Sequence, residues 1–256
     1  MDFDDTREEA EFRKEVRQWL GANAEPKSGA FETWQSRYPG RDGYEGLERA
    51  KEFQAKKADA GFAALHWPVE WGGRASPIYQ VIYSQEETRY LVARGYFEIG
   101  LGMCMPTLFA FGTEAQKRRH APVALRGQEV WCQLFSEPGA GSDLAGLRTR
   151  AQRDGDEWVI NGQKIWTSGA HWADWAILVA RSDPKAAKHK GLTFFFLVHE
   201  VAGHRDPAHQ ADLRRLSLQR GVLHRRAHSR QPAARRGGSG LGSGHHHSHE
   251  RAPHLR

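Results

Sequence analysis

The sequence predicts an α+β protein in which an all-α helical domain, residues 1–126, precedes an antiparallel sheet, residues 127–198. Three observations lead to this prediction. Apolar residues recur at helical spacing in the first half, the period then shortens toward two, and strands and helices do not alternate as in a Rossmann unit. With 39% hydrophobic residues and 9 Trp in 256 residues, the chain can bury a sizeable core.

Helical patterns fill the first domain. Thr6 and Glu9 have the spacing of a capping box, so a helix is predicted to begin at this point. The apolar residues that follow fall on one helical face: Phe12, Val16, Trp19 and Leu20. Further helices are predicted over residues 44–60 and 78–93, and another begins near Thr113.

Strand patterns follow Gly127. Strands are predicted at residues 129–137, 173–181 and 191–198, which are rich in β-branched and aromatic residues. Asn161-Gly162 stands between the apolar runs WVI and QKIW, which is the sequence pattern of a two-residue hairpin turn with positive φ at both positions. The sequence therefore predicts an antiparallel hairpin centred on these two residues.

The positive charge of the chain is concentrated in residues 199–256. Eleven Arg and four acidic residues give this segment a net charge of +7, whereas the whole chain carries +6, so the first 198 residues sum to −1. The segment also holds 10 of the 14 His and no Phe, Trp, Tyr, Ile or Met. Because it lacks the side chains that build cores, we predict a disordered basic tail.

Two interpretations of this tail are open. Its Arg pairs and its HHHSH cluster are typical of a nucleic-acid-binding arm or a metal-binding tract. The interpretation that we favour is translation out of frame. Codons compatible with residues 202–209, read one base later, encode the strand-like peptide PGIEIRP, and the continued reading restores alternating and helical patterns. We therefore expect no nucleic-acid partner.

Two segments have the residue types that a planar, phosphate-bearing cofactor requires. Residues 133–142, QLFSEPGAGS, end a strand in a glycine-rich turn, where small residues let backbone N–H groups approach an anion such as a pyrophosphate. Residues 164–175, KIWTSGAHWADW, place the Trp166 ring beside the hydroxyls of Thr167 and Ser168. An ordinary turn and ordinary aromatic packing are the alternative explanations.

Three motifs in order carry a resemblance to a known family. They are FGTEAQK at residues 111–117, FSEPGAGSDLAG at 135–146 and WVINGQKIWTSGAHWADW at 158–175. With them, residues 1–198 resemble the N-terminal helical domain and part of the middle β domain of an acyl-CoA dehydrogenase. The resemblance implies an incomplete antiparallel β-barrel after the helical domain, and the family's C-terminal helical bundle is absent from this sequence.

The resemblance also implies a reaction and a cofactor site. Family members use FAD in lipid metabolism to dehydrogenate an acyl-CoA thioester to a trans-2-enoyl-CoA, with hydride passing to flavin N5. The implied cofactor-binding residues are Gln133, Phe135, Ser136, Gly141, Ser142, Trp166, Thr167 and Ser168. Ser142 is also implied to contact the acyl-CoA. Ser168 stands where the family commonly has a threonine near N5, so the hydroxyl is retained.

No catalytic residue is expected in this chain, because the family's glutamate base belongs to the C-terminal bundle. Glu137 is interpreted as structural, and His66, His120 and His171 as packing or surface residues rather than metal ligands. We expect a truncated chain with little or no dehydrogenase activity. The resemblance further implies an electron-transfer flavoprotein as electron acceptor and homo-oligomeric full-length relatives.

Two alternative functions stay open. One is a same-fold acyl-CoA oxidase, and the other is a non-catalytic binding protein that uses the basic tail for nucleic acid or metal. The acidic N-terminus lacks an apolar region and no stretch approaches a membrane-spanning length, so neither a signal peptide nor a membrane partner is expected. Two cysteines favour a reducing compartment, and we expect a cytoplasmic protein.

Overall fold

A helical half precedes a six-stranded sheet in the computed structural model, which describes residues 4–37, 44–155, 157–198 and 215–218. The helices are α1 Arg7–Asn23, α2 Trp34–Arg37, α3 Tyr44–Asp59, α4 Pro77–Glu87, α5 Met105–Phe111 and α6 Glu114–Leu125. The strands are β1 Trp131–Leu134, β2 Arg150–Asp154, β3 Glu157–Ile165, β4 Trp175–Arg181, β5 Leu192–Val198 and β6 Arg215–Leu218. The predicted fold class is confirmed.

The first helix begins where its sequence predicts. Thr6 Oγ1 accepts a hydrogen bond from the Glu9 backbone N–H, and Glu9 Oε2 accepts one from the Thr6 N–H, which completes the capping box. The apolar face of α1 is buried against α4 and the loop before it, in a cluster formed by Phe12, Val16, Leu20, Phe62, Leu65, Ile82 and Tyr83. This packing joins α1 and α4 into one layer.

Helix α6 also begins as predicted, whereas α4 ends earlier than predicted. Thr113 forms a second capping box at the start of α6, with its side chain accepting from the Gln116 N–H. Helix α4 ends at Glu87 instead of reaching residue 93. The chain turns at residues 88–89 and then pairs with the segment after α1, through a bridge between Pro26 and Tyr90, so the helix does not continue to residue 93.

The sheet is mixed rather than wholly antiparallel. Its order is β1-β4-β2-β3-β6, and β5 pairs with β4. Strand β1 runs parallel to β4 and β2 touches β4 in parallel at Arg150 and Arg181, while the other pairs are antiparallel. The helices pack onto this sheet, since Leu47 and Phe97 share a buried cluster with Leu178.

The predicted hairpin at Asn161-Gly162 is wrong. Both residues lie inside β3, and the turn occurs earlier, where Gly155 has φ +58° between paired residues of β2 and β3. Gly162 meets a different requirement, because a Cβ at this position would collide with Thr149 Oγ1. The glycine therefore permits a close approach of two chain segments rather than a turn.

The tail is described only at residues 215–218, which form β6 antiparallel to β3. This short strand differs from the predicted disorder of the tail, and its sequence RLSL alternates with the period of a strand. The rest of the predicted disordered tail lies outside the described residues, as do its HHHSH cluster and most of its Arg residues. Every helix in the described ranges is too short or too polar to cross a membrane.

Candidate functional site

The two segments predicted to share one cofactor lie side by side. Strand β1 leads into residues 135–142, and the end of β3 runs next to this turn. The Ile165 backbone N–H donates to the Ser136 carbonyl at 2.9 Å, and Lys164 Nζ donates to the Phe135 carbonyl at 2.9 Å. The site residues on both sides of the predicted cofactor are thus brought together by the sheet.

Glu137 ties the glycine-rich turn to the sheet. Its carboxylate accepts hydrogen bonds from the Arg148 N–H at 2.6 Å, the Thr149 N–H at 2.8 Å and Lys164 Nζ at 2.9 Å. Burial alone would raise the pKa of Glu137, but the hydrogen bonds from Thr149, Arg148 and Lys164 hold it below its ordinary value. An ionised carboxylate that accepts three hydrogen bonds from the chain is suited to holding the turn in place, and the structural role of Glu137 stays a prediction.

The turn that follows Glu137 presents an open surface. Glu137 and Ala140 exchange two backbone hydrogen bonds, of 2.8 and 3.0 Å, which close the turn. Gly141 and Ser142 are exposed beyond it. A Cβ added at Gly139 or Gly141 would meet no atom within 4 Å, so packing within the chain does not require these glycines. Their backbone is accessible to a bound group that needs close approach.

The Trp166 segment has three features that fit a planar group with polar edges. Trp166 is 63% exposed and has φ +58°, a conformation that is rare for a bulky residue and is concentrated at ligand sites. Thr167 is 3% exposed, and its Oγ1 has no hydrogen-bond partner among the described residues. Ser168 is exposed. An exposed ring, a buried hydroxyl without a partner and an accessible hydroxyl therefore stand in sequence.

Gln133 and Phe135 occupy the strand side of the same region. Gln133 is half-buried in β1, where it lies opposite Ile177 of β4. Phe135 is half-buried and meets Phe194 of β5 edge to face, with ring centroids 5.7 Å apart. Both side chains are anchored by the sheet.

A cleft of about 530 Å³ lies between the helical half and the sheet. The helical half contributes Lys27, Arg94 and Tyr96 to its lining, and the sheet half contributes Trp131, Ser168 and Trp172. Ser168 is the predicted cofactor residue that also lines the cleft. The volume falls within the range of small-molecule sites, which are commonly 300–1,000 Å³.

Sequence reasoning missed most of this cleft. Glu87, Arg94 and Glu98 line it, yet none of them belongs to a motif. Their sequence signal is weak: charged residues alternate with Tyr96, Phe97 and Ile99 just after a helix that ends early. Lys27 lines the same cleft because residue 26 pairs with residue 90. This pairing is a tertiary contact.

The three histidines make hydrogen-bond and ring contacts within the chain, and the packing or surface roles expected of them stay predictions. His120 Nδ1 lies 2.9 Å from Glu129 Oε2, and its buried ring meets Trp131 and Trp175 edge on. His66 Nδ1 is 3.2 Å from Gln80 Oε1. Burial lowers the pKa of His171, which packs against the neighbouring Trp172.

Family models match most of the chain. The acyl-CoA dehydrogenase N-terminal domain matches residues 6–128, and the acyl-CoA dehydrogenase middle domain matches residues 132–219. The second match extends 21 residues beyond Val198, into the segment interpreted as out of frame. The domain boundary predicted at residue 198 stays a prediction.

Individual relatives agree with these family models. Acyl-CoA dehydrogenase IpdE1 of Mycobacterium tuberculosis is 41% identical over 194 residues, which are 75% of this chain and 50% of that protein. Acyl-CoA dehydrogenase FadE34 of the same organism is 49% identical over 144 residues, which are 56% of this chain and 20% of that protein. The crystal structure of the ChsE4-ChsE5 complex from Mycobacterium tuberculosis has a TM-score of 0.61 and 34% identity, covering 77% of this chain and 48% of that one. The chain spans half or less of the length of these relatives.

Proposed function

Because this chain belongs to the acyl-CoA dehydrogenase family, we propose that it binds FAD and an acyl-CoA thioester, in the site used for α,β-dehydrogenation of the acyl group. The observation that carries the proposal is the position of Ser168. This residue follows Trp166 in the predicted cofactor segment and also lines the cleft between the helices and the sheet. The cofactor segment and a cleft of ligand size therefore meet at one residue.

The proposed FAD site uses the two adjoining segments. The exposed Trp166 ring offers an apolar face, and the hydroxyls of Thr167 and Ser168 offer polar contacts at its edge. Gln133, Phe135 and Ser136 form the strand side, and Gly141 and Ser142 offer exposed backbone to the phosphates. When bound, FAD accepts a hydride from the β-carbon of the acyl group. The unsatisfied Thr167 Oγ1 supports the fit, because a buried hydroxyl normally has a partner.

The acyl-CoA is proposed to enter the cleft with its thioester toward Ser168. By family resemblance, Ser142 is also proposed to contact the acyl-CoA. The cleft supplies apolar walls from Tyr96, Trp131 and Trp172, which exclude water from the acyl group. The base that removes the α-proton is not supplied by Glu137, whose carboxylate holds three hydrogen bonds from the chain. By family resemblance the base lies in a C-terminal bundle. We therefore expect little or no turnover from residues 1–256 by themselves.

The partners of this reaction are also proposals. Family resemblance assigns electron transfer to an electron-transfer flavoprotein, which would reoxidise the flavin. The ChsE4-ChsE5 structure is named as a complex of two proteins, so assembly with a second copy or a related chain is proposed for this protein as well. An acyl-CoA oxidase would share the flavin and acyl sites and differ in using O₂.

The experiment that tests the proposal is FAD titration of the purified chain, followed by quenching of flavin fluorescence. We expect saturable binding that Trp166→Ala weakens by at least about tenfold, equivalent to 1.4 kcal/mol. Phe111→Ala, at an exposed aromatic on α5, is the matched control and leaves the affinity unchanged. Absence of FAD binding, or equal effects of the two variants, would refute the proposed site. Anaerobic bleaching of the bound flavin by an acyl-CoA would refute the expected lack of turnover.

A further inference from the structure

The charged side chains that line the cleft indicate which acyl groups it binds. This inference rests on the proposed function. We propose that the cleft selects acyl groups that end in a carboxylate, such as the monothioesters of dicarboxylic acids, over acyl groups that end in a methyl. Four charged side chains line the cleft: Lys27, Glu87, Arg94 and Glu98. A cleft for an unsubstituted alkyl chain has no need of them, because burying charges under hydrocarbon is costly.

Three of these charges are already paired. Lys57 Nζ donates to Glu87 Oε1 at 2.8 Å, and both side chains are buried. Arg94 Nε lies 3.2 Å from Glu98 Oε1, and its Nη1 lies 3.7 Å from Glu87 Oε2. Glu87 is neutralised by Lys57, and Arg94 by Glu98. The carboxylates of the lining therefore leave no negative charge free to repel an anionic ligand.

Lys27 supplies the positive charge in excess. Its side chain is half-buried, and its ammonium has no carboxylate partner among the described residues. The backbone holds this residue in place, since the Lys27 N–H donates to the Arg89 carbonyl at 2.9 Å and Pro26 bridges to Tyr90. A cation fixed in a cleft wall without an acceptor is suited to an anionic ligand group.

Aromatic side chains form another part of the cleft wall. Tyr96, Trp131 and Trp172 are aromatic, and Tyr96 meets Trp172 edge to face with centroids 4.9 Å apart. These rings suit the methylene part of an acyl chain. Ser168 marks the part of the cleft next to the proposed cofactor, and the terminal carboxylate of the acyl group is assigned to Lys27. Arg94, which Glu98 already neutralises, is the second cation of the lining.

The test compares acyl-CoA ligands matched in carbon number, adipoyl-CoA against hexanoyl-CoA and suberyl-CoA against octanoyl-CoA. Binding to the full chain loaded with FAD is measured by isothermal titration calorimetry. We expect at least one dicarboxylate thioester to bind about tenfold more tightly than its monocarboxylate match, a difference of 1.4 kcal/mol. Lys27→Gln is expected to remove this preference. Lys14→Gln, at an exposed lysine of α1 outside the cleft, preserves it.

Each outcome bears on a separate claim. Equal affinity within both pairs would overturn the inference and leave acyl-CoA binding intact. A preference that survives both Lys27→Gln and Arg94→Gln would overturn the assignment to these cations. If no acyl-CoA binds, the proposed function and this inference fail together. A preference that weakens as salt is raised supports the ion pair.

Discussion

Lys164 Nζ lies 2.9 Å from Glu137 Oε1, in a buried ion pair that joins the end of β3 to the glycine-rich turn after β1. The same ammonium donates to the Phe135 carbonyl. One lysine therefore sets the spacing between the two segments proposed to hold FAD. Because both charged groups are removed from water, the charge of each is compensated only while the other is present.

We predict that Lys164→Met destabilises the protein by about 3–5 kcal/mol, since it leaves the Glu137 carboxylate buried without its cation. Unfolding in guanidinium chloride measures this change. Lys188→Met is the control, because the Lys188–Asp143 pair is exposed and such pairs contribute about 0–1 kcal/mol. Similar losses for the two variants would contradict the role assigned to the buried pair.

The stability of the helical half is predicted to fall at acid pH through Glu86. This carboxylate is 2% exposed and pairs with Arg13 and Arg17. Burial acts to raise the pKa of Glu86, but the hydrogen bonds from Arg17 and Arg13 hold it below the ordinary value of 4.5. A depressed folded-state pKa adds stability that is complete above the ordinary pKa and is lost as pH falls through the lowered one.

The measurement is the free energy of unfolding as a function of pH. We expect a decline below about pH 4.5, and Glu86→Gln is expected to lower the stability at neutral pH and to flatten this acid limb. An acid limb with the same slope in the variant would assign the decline to other carboxylates.

Gly162 is predicted to tolerate no side chain. A Cβ at this position would collide with Thr149 Oγ1, so Gly162→Ala requires β3 or residue 149 to move and is expected to cost about 1–3 kcal/mol. Gly139→Ala, where a Cβ meets no atom within 4 Å, is the matched control and is expected to change the melting temperature little. A stable Gly162→Ala protein would show that the two segments are farther apart than described.

Gly162 also shows what local sequence patterns could and could not predict. The capping boxes at Thr6 and Thr113 can be predicted from the sequence because their partners lie three residues away. Asn161-Gly162 has the pattern of a turn, but its role depends on Thr149, which only the folded sheet brings near. The same limit applies to the site: the cofactor segments were visible as motifs, whereas the cleft combines residues as distant as Lys27 and Ser168.

The reading frame of the gene is predicted to change near residue 198. We propose that the gene carries a one-base shift close to the codons for Val198 and His199, because the tail has ten His, eleven Arg and no Phe, Trp, Tyr, Ile or Met. Resequencing the gene across these codons shows directly whether a base has been gained or lost. The expected result is a restored downstream frame with strand-like alternation, for which PGIEIRP is one of the peptides that the codons of residues 202–209 permit. The family match through residue 219 and the pairing of β6 with β3 give the opposing expectation, that residues 199–219 are native. An intact frame across this region would refute the shift.

Salt-dependent RNA binding that is lost on deleting residues 199–256 would then support a function for the basic tail.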